Sequence, residues 1–175
     1  YTTMPASSTV NLASGSTIEV GQNSSVGVFL AGKNQNVTSN SDIKIGNNSY
    51  GFVVRGTGTK VSINGINPTV VGDDVVFAYS TDTAGNIENK TTITATGSKN
   101  YGIYAAGNVT NLADINFGSG IGNVGIYSTS GGRAVNGNTT IKPTITVSAS
   151  DKTNKFFGIG MAAGYNWTGE DLKKT

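Results

Sequence analysis

The chain contains neither cysteine nor histidine among its 175 residues. The lack of cysteine excludes disulfides and thiolate chemistry, and the lack of histidine removes imidazole bases and the commonest side-chain ligand of transition metals. Zinc and haem sites are therefore not expected, and the sequence predicts no metal site and no cofactor.

Charged residues are also scarce, at 13% of the chain, which is about half the usual share. Glutamate occurs only at Glu19, Glu88 and Glu170, and because such residues fill ordinary helix surfaces, an α-rich fold is not expected. The 12 basic and 10 acidic residues give a net charge of only +2, which argues against nucleic acid as a partner. No apolar stretch approaches the length of a transmembrane helix, so direct membrane insertion is not expected.

Glycine is abundant, with 25 residues, and asparagine, threonine and serine together make up about a third of the chain. Apolar residues still account for 36%, and they are spread evenly along the sequence. That is enough apolar surface to build a core, so a disordered chain is not expected.

An internal repeat of about 25 residues runs through the sequence. Its first landmark is an apolar residue or threonine followed by glycine, at Val20-Gly21, Ile45-Gly46, Val71-Gly72, Thr96-Gly97 and Phe117-Gly118. A strand-like run follows each landmark, and a sixth run closes the series, so that the runs span 26–30, 50–54, 75–79, 101–105, 124–128 and 157–161. The last run comes about eight residues late, which predicts an insertion at 128–157.

A third element precedes each glycine and alternates apolar with polar residues, as a strand with one buried face does. Apolar residues stand two apart at Ile18/Val20, Ile43/Ile45, Ile115/Phe117 and Ile145/Val147. In the fourth copy the same alignment predicts Thr94 and Thr96 as inward residues and leaves Ile93 out of phase.

Two or three short strands per period predict an all-β fold, a right-handed parallel β-solenoid (β-helix) with about six rungs of roughly 25 residues. Stacked rungs pair each backbone with its neighbours and align like side chains into columns, including asparagine ladders. A β-sandwich is the competing fold, but it gives no reason for the same three-part period to recur.

Alternation within the strand-like runs predicts the direction of each side chain. The residues predicted to face inward are Val26/Val28/Leu30, Tyr50/Phe52/Val54, Val75/Phe77/Tyr79, Tyr101/Ile103/Ala105, Val124/Ile126 and Phe157/Ile159/Met161. An outward column is predicted at Gly27, Gly51, Val76, Gly102, Gly125 and Gly158. A second outward column forms an apolar and aromatic stripe at Phe29, Val53, Ala78, Tyr104 and Tyr127.

The stretches Asn-Tyr-Gly-Ile-Tyr-Ala-Ala-Gly (100–107), Asn-Val-Thr-Asn-Leu-Ala-Asp-Ile-Asn-Phe-Gly (108–118) and Val-Gly-Ile-Tyr-Ser-Thr-Ser-Gly-Gly (124–132) resemble rungs of autotransporter passenger domains. They are most similar to the large fusobacterial outer-membrane adhesins of type V secretion, and the similarity extends from about Ser8 to Met161. The resemblance implies that residues 1–175 form a single β-helix segment, excised from a longer passenger displayed at the bacterial cell surface. The lack of cysteine agrees with this, because a disulfide formed in the periplasm would block passage through the outer membrane.

Carboxylates at Asp73 and Asp74, with Asp82 nearby in sequence, could bind Ca²⁺ or cleave a glycosidic bond. The pair stands at the same turn as 47–48 and 98–99, however, and turn chemistry alone explains it. We therefore expect a non-enzymatic adhesin segment. The alternatives are a β-helical polysaccharide lyase or hydrolase, a phage tailspike-like domain, and a purely structural spacer.

Two regions are predicted to contact a host or bacterial cell-surface receptor, which could be a protein or a glycan. The inserted segment 128–157 carries Arg133, Lys142, Lys152 and Lys155, which can donate charge-assisted hydrogen bonds to an acidic receptor or a sialylated glycan. The second region is the outward stripe, with Tyr104 and Tyr127 as its predicted binding residues.

Overall fold

The computed structural model describes residues 7–129 and 131–164. These residues form eighteen strands and no helix. The strands are β1 (Thr9–Leu12), β2 (Thr17–Val20), β3 (Val26–Ala31), β4 (Asn36–Ser39), β5 (Asp42–Ile45), β6 (Tyr50–Arg55), β7 (Lys60–Ile63), β8 (Thr69–Val71), β9 (Val76–Ser80), β10 (Asn86–Asn89), β11 (Ile93–Ala95), β12 (Tyr101–Ala105), β13 (Asn108–Asn111), β14 (Ile115–Asn116), β15 (Val124–Thr129), β16 (Arg133–Asn136), β17 (Ile145–Thr146) and β18 (Ile159–Gly164). The rest of the predicted segment 1–175 lies outside the described residues.

Each strand pairs in parallel with the strand three places further along the chain, apart from one break. Sheet I is β1-β4-β7-β10-β13-β16, sheet II is β2-β5 and β8-β11-β14-β17, and sheet III is β3-β6-β9-β12-β15-β18. Three strands therefore complete one turn. The predicted parallel β-solenoid is confirmed, with about five turns, close to the six rungs expected.

The break in sheet II falls between β5 and β8, beside Pro68. Proline has no amide hydrogen to donate across the sheet. Asn67 bridges the two rungs instead, because its backbone N–H and its side-chain amide both donate to the carboxylate of Asp42, at 3.1 and 2.5 Å. These hydrogen bonds lower the pKa of Asp42 below its ordinary value.

Sheet I forms one whole wall of the solenoid, and the sequence repeat did not predict its strands. Its first inward column is apolar and buried at Val37, Val61, Ile87 and Val109. Its second inward column turns polar in the later rungs, with Ser39 and Ile63 followed by Asn89, Asn111 and Asn136. An apolar residue alternating with a buried asparagine does not look like a core strand, which is why the wall was missed.

The predicted asparagine ladders are present inside the solenoid. Asn89 donates to Asn111 at 2.8 Å, and Asn111 donates to Asn136 at 2.7 Å. A second ladder joins Asn100 to Asn123, where the Oδ1 atom of Asn123 accepts from both the backbone N–H and the side chain of Asn100. Every buried amide in these ladders has partners, so its burial does not leave an unsatisfied polar group.

The prediction that Thr94 and Thr96 face inward was wrong. Ile93 is fully buried and is aligned with Ile115, while Ala95 is buried and is aligned with Val71. The fourth rung has one extra residue between strand and glycine, so aligning the copies on their glycines shifted the strand by one position. A shift of one residue exchanges the two faces of a strand.

The glycine column of sheet III was predicted to face outward, and this was also wrong. A Cβ atom on Gly125 would lie 2.7 Å from Cγ2 of Ile145 in sheet II and 2.5 Å from the carbonyl oxygen of Gly160 on the next rung. Gly102 makes the same approach to the carbonyl of Gly125, at 2.5 Å. The column therefore faces the interior, and the absence of a side chain at Gly102 and Gly125 lets these rungs approach closely.

The inward glycine is followed by a second inward residue. From this point along the strand, inward and outward positions are exchanged relative to strict alternation. Tyr101 and Tyr104 consequently share the outer face, with ring centroids 5.5 Å apart. The prediction that Tyr101, Tyr50, Val26 and Val124 face inward was wrong, because all four occupy one outward column. Val76, predicted to face outward, lies in the same column. Ile103, Ile126 and Phe52 are fully buried, as predicted.

The third rung of sheet III differs from the sequence alignment by one residue. Ala78 is aligned with Phe52 and Ile103 and is fully buried, so its predicted outward position was wrong. Tyr79 is aligned with Tyr104 on the outer face, against the prediction that it faces inward. Phe77 takes the place that Gly51 and Gly102 hold in the neighbouring rungs, and the small Ala78 stands beside it.

The sixth rung is shifted by two residues from its predicted position. Ile159 and Met161 pair with Val124 and Ile126, which places Gly160, and not Gly158, in the glycine column. The prediction that Ile159 faces inward was therefore wrong, because its partner Val124 lies in an outward column. Met161, predicted to face inward, is 44% exposed because it lies on the last rung described. Phe157 is buried, but it precedes the strand and is not part of the core cluster inside the solenoid.

Candidate ligand-binding face

The outer surface of sheet III carries two columns of large apolar and aromatic side chains. One column contains Val26, Tyr50, Val76, Tyr101 and Val124, and the other contains Phe29, Val53, Tyr79, Tyr104 and Tyr127. The parallel register places members of a column on consecutive rungs, about 4.8 Å apart. We call the outward residues of these two columns the aromatic face.

Four tyrosines of this face form a chain of ring contacts. The centroid distances are 6.1 Å for Tyr50–Tyr79, 5.4 Å for Tyr79–Tyr104 and 4.8 Å for Tyr104–Tyr127. The rings are tilted or edge-on to one another, as aromatic pairs prefer. Their mutual contact holds each ring in a fixed orientation on the surface.

The two ends of the aromatic face differ in exposure. Tyr127 is only 4% exposed and Tyr104 is half-buried, whereas Phe29 is 56% exposed. Burial raises the pKa of Tyr104 and of Tyr101, and neighbouring tyrosines raise both further. These two phenols therefore remain protonated and neutral well above physiological pH.

The accessible part of the face is a depression over the first three rungs, which we call the open depression. It has a volume of about 360 Å³ and is lined by Val26, Phe29, Tyr50, Val53, Arg55, Tyr79 and Thr81. Val53, at 7% exposed, forms the floor, and the rings of Phe29, Tyr50 and Tyr79 stand around it. A second, more polar depression adjoins it and shares Phe29, Arg55 and Thr81.

Arg55 supplies the positive charge at the junction of the two depressions. Across the described parts of the chain, no carboxylate lies within ion-pair distance of its guanidinium group. Asp82 also lines the second depression, but its Oδ1 atom accepts the backbone N–H of Ala84 at 3.1 Å and its Oδ2 atom is shielded from solvent. The charged side chain that is exposed and has no ion-pair partner here is therefore that of Arg55.

The basic residues predicted as a contact site are exposed but belong to different elements. Arg133 begins β16 in sheet I, and Lys142 lies in the connection between β16 and β17. Lys152 and Lys155 lie in a tight turn closed by the pairing of Asp151 with Phe156. Two solenoid strands, β16 and β17, lie within the predicted insertion 128–157, and its extra length lies in two connections, 137–144 and 147–158.

The acidic residues considered for calcium or catalysis lie at turns at opposite ends of β9. Asp74 adopts a left-handed conformation with φ of 54°, and Asn48 and Lys99, with φ of 54° and 61°, do the same at this place on adjacent rungs. Asp73 accepts the backbone N–H of Ser98 at 2.7 Å. Asp73 and Asp74 thus have the backbone conformation and hydrogen bonding of turn residues. Within residues 7–129 and 131–164, no three acidic side chains lie close enough together to hold a metal ion.

Sequence reasoning found the aromatic stripe but missed its accessible residues Tyr50, Tyr79 and Arg55. Tyr50 was predicted to face inward because strict alternation was carried through Gly51, and Tyr79 because the third rung was aligned one residue out of register. The sequence does carry a signal for Arg55, because it directly follows the strand-like run 50–54 and so borders the same face.

No helix in the described part of the chain is long and apolar enough to cross a membrane. Comparisons with protein families, with curated proteins and with solved structures gave no match to this chain.

Proposed function

We propose that this chain is a non-enzymatic segment of a bacterial surface adhesin, which presents the aromatic face to a receptor on host cells or on other bacteria. The observation that carries the proposal is the in-register row of aromatic rings, which ends in a depression that remains open to solvent. Large apolar surfaces that are contiguous and exposed to solvent commonly mark binding sites.

The solenoid suits this role because its rungs hold the face rigid. Parallel pairing on both sides fixes the backbone of β6 and β9, and ring contacts fix Tyr50 and Tyr79. A surface that is already ordered loses little conformational entropy when a ligand binds. Display at the outer membrane as part of an autotransporter passenger belongs to the same proposal, and it rests on the resemblance of residues 100–132 to passenger rungs.

The proposal can be tested with beads coated with the purified chain and applied to host epithelial cells and to other bacteria. We expect the double substitution F29A/Y79A to reduce attachment at least about tenfold, because central aromatic residues each contribute roughly 2 kcal/mol to binding. The matched control is I66A/V70A, which removes exposed apolar side chains away from the aromatic face. It should attach like the parent.

Both variants must first show the circular dichroism spectrum and melting temperature of the parent. Equal attachment by the parent and F29A/Y79A would contradict the proposal. In that case, loss of attachment on replacing Arg133, Lys142, Lys152 and Lys155 by Gln would assign the role to the basic residues, and no loss would favour a structural spacer.

A further inference from the structure

The open depression has the form of a site for one ring-shaped ligand. Its lining residues form an array over three rungs, with Val26 and Phe29 from β3, Tyr50, Val53 and Arg55 from β6, and Tyr79 of β9 followed by Thr81 just beyond that strand. Phe29 and Tyr79 stand two rungs apart, about 10 Å, on opposite sides of that floor. A pyranose ring can rest its C–H groups against such aromatic walls.

The charge in the site selects for a negative ligand. Arg55 is exposed at the edge of the array and has no ion pair within the described ranges. Its guanidinium group can bind a carboxylate through two parallel hydrogen bonds. Asp82 lines the adjoining depression, but it forms no ion pair with Arg55, and its Oδ1 atom accepts the backbone N–H of Ala84.

A peptide is a poorer fit to the same place. The backbone N–H and C=O groups of β6 are engaged with β3 and β9, so an extended peptide lying over the floor of the depression cannot pair with that strand. A peptide added to the edge strand β3 would extend the sheet beside the depression instead of filling it. Recognition must come from side chains alone, through stacking, the guanidinium group and the hydroxyl of Thr81. A carboxylated sugar uses all three kinds of group.

We propose that the open depression binds a carboxylated pyranose, such as a sialic acid on a host glycan or a uronic acid in a bacterial polysaccharide. Arg55 binds the carboxylate, the rings of Phe29, Tyr50 and Tyr79 pack against the sugar, and Thr81 hydrogen-bonds a hydroxyl group. This inference rests on the proposed function, because it names the ligand of the aromatic face.

Calorimetric titration of the purified chain with 3′-sialyllactose and lactose, and with glucuronate- and glucose-terminated oligosaccharides, tests the inference. We expect one or both acidic sugars to bind at least about tenfold more tightly than the matching neutral sugar, with the preference weakening at high salt. R55Q should remove that preference and leave weak binding, whereas F29A/Y79A should abolish binding of both. R133Q, which changes the other arginine of the chain, should bind like the parent.

Equal binding of acidic and neutral sugars, or an acid preference that survives in R55Q, would overturn the role of Arg55. Binding of an acidic tyrosine-containing peptide but of none of the four saccharides would overturn the ligand class. If none of the saccharides binds while cell attachment remains sensitive to F29A/Y79A, the inference fails and the proposed function stands. If attachment is insensitive as well, both fail.

Discussion

Replacing Ile103 by Asp is expected to lower the free energy of unfolding by about 5 kcal/mol. Ile103 is fully buried between Ala78 and Ile126 on the adjacent rungs. The substitution loses roughly 2 to 3 kcal/mol of apolar burial and places a carboxyl group where no partner is available. Uncompensated burial of a charge is among the few single changes that cost this much.

Urea denaturation of Ile103→Asp and of a matched control, Ile66→Asp, measures the effect. Ile66 is 76% exposed, so the same chemical change there should alter stability by no more than about 0.5 kcal/mol. Ile103→Val, which removes one methylene group, should cost about 1 kcal/mol. Similar unfolding midpoints for Ile103→Asp and Ile66→Asp would show that Ile103 is not in the core.

Replacing Gly125 by Ala is expected to cost about 3 kcal/mol, although it adds only one methyl group. The added Cβ atom would lie 2.5 Å from the carbonyl oxygen of Gly160 and 2.7 Å from a methyl group of Ile145. The carbonyl belongs to the backbone of the next rung and cannot turn away as a side chain can. The strain can be relieved only by separating rungs that hydrogen bonds hold together.

Gly118→Ala is the matched control for this change. Gly118 is exposed and does not adopt a positive φ, and a Cβ atom there would meet only the methyl group of Thr146, at 3.4 Å. Its melting temperature should stay close to that of the parent. A parent-like melting temperature for Gly125→Ala would contradict the inward direction of the glycine column.

The repeat predicted the solenoid well because rung stacking depends on period and composition, which are visible along the chain. The direction of individual side chains depends on register, which is less visible. In the third rung, Phe77, Ala78 and Tyr79 are all apolar or aromatic, so alternation does not distinguish the inner face from the outer one. Close backbone contact between rungs, which places Gly125 inward, leaves no mark in the hydrophobic pattern.

The sequence predicted what kind of surface the candidate site is, an aromatic stripe, but not which part of that stripe is accessible. An aromatic stripe follows from tyrosines that recur on successive rungs, but their exposure depends on neighbours that the repeat does not describe. Tyr127 is covered because β18 pairs with its strand, and its hydroxyl group approaches the carbonyl of Gly164 at 3.5 Å. The accessible end of the face lies instead at Phe29, Tyr50 and Tyr79 on the first three rungs.

Hydroxyl-radical footprinting of the chain, with and without saturating amounts of receptor-bearing cell membranes, tests most directly that the open depression is the binding site. Bound membranes should protect Phe29, Tyr50 and Tyr79 from oxidation, while Ile66 and Met161, both exposed and outside the depression, react as before. Unchanged oxidation of those three aromatic residues in the bound state, or protection confined to the connections at 137–144 and 147–158, would contradict the account.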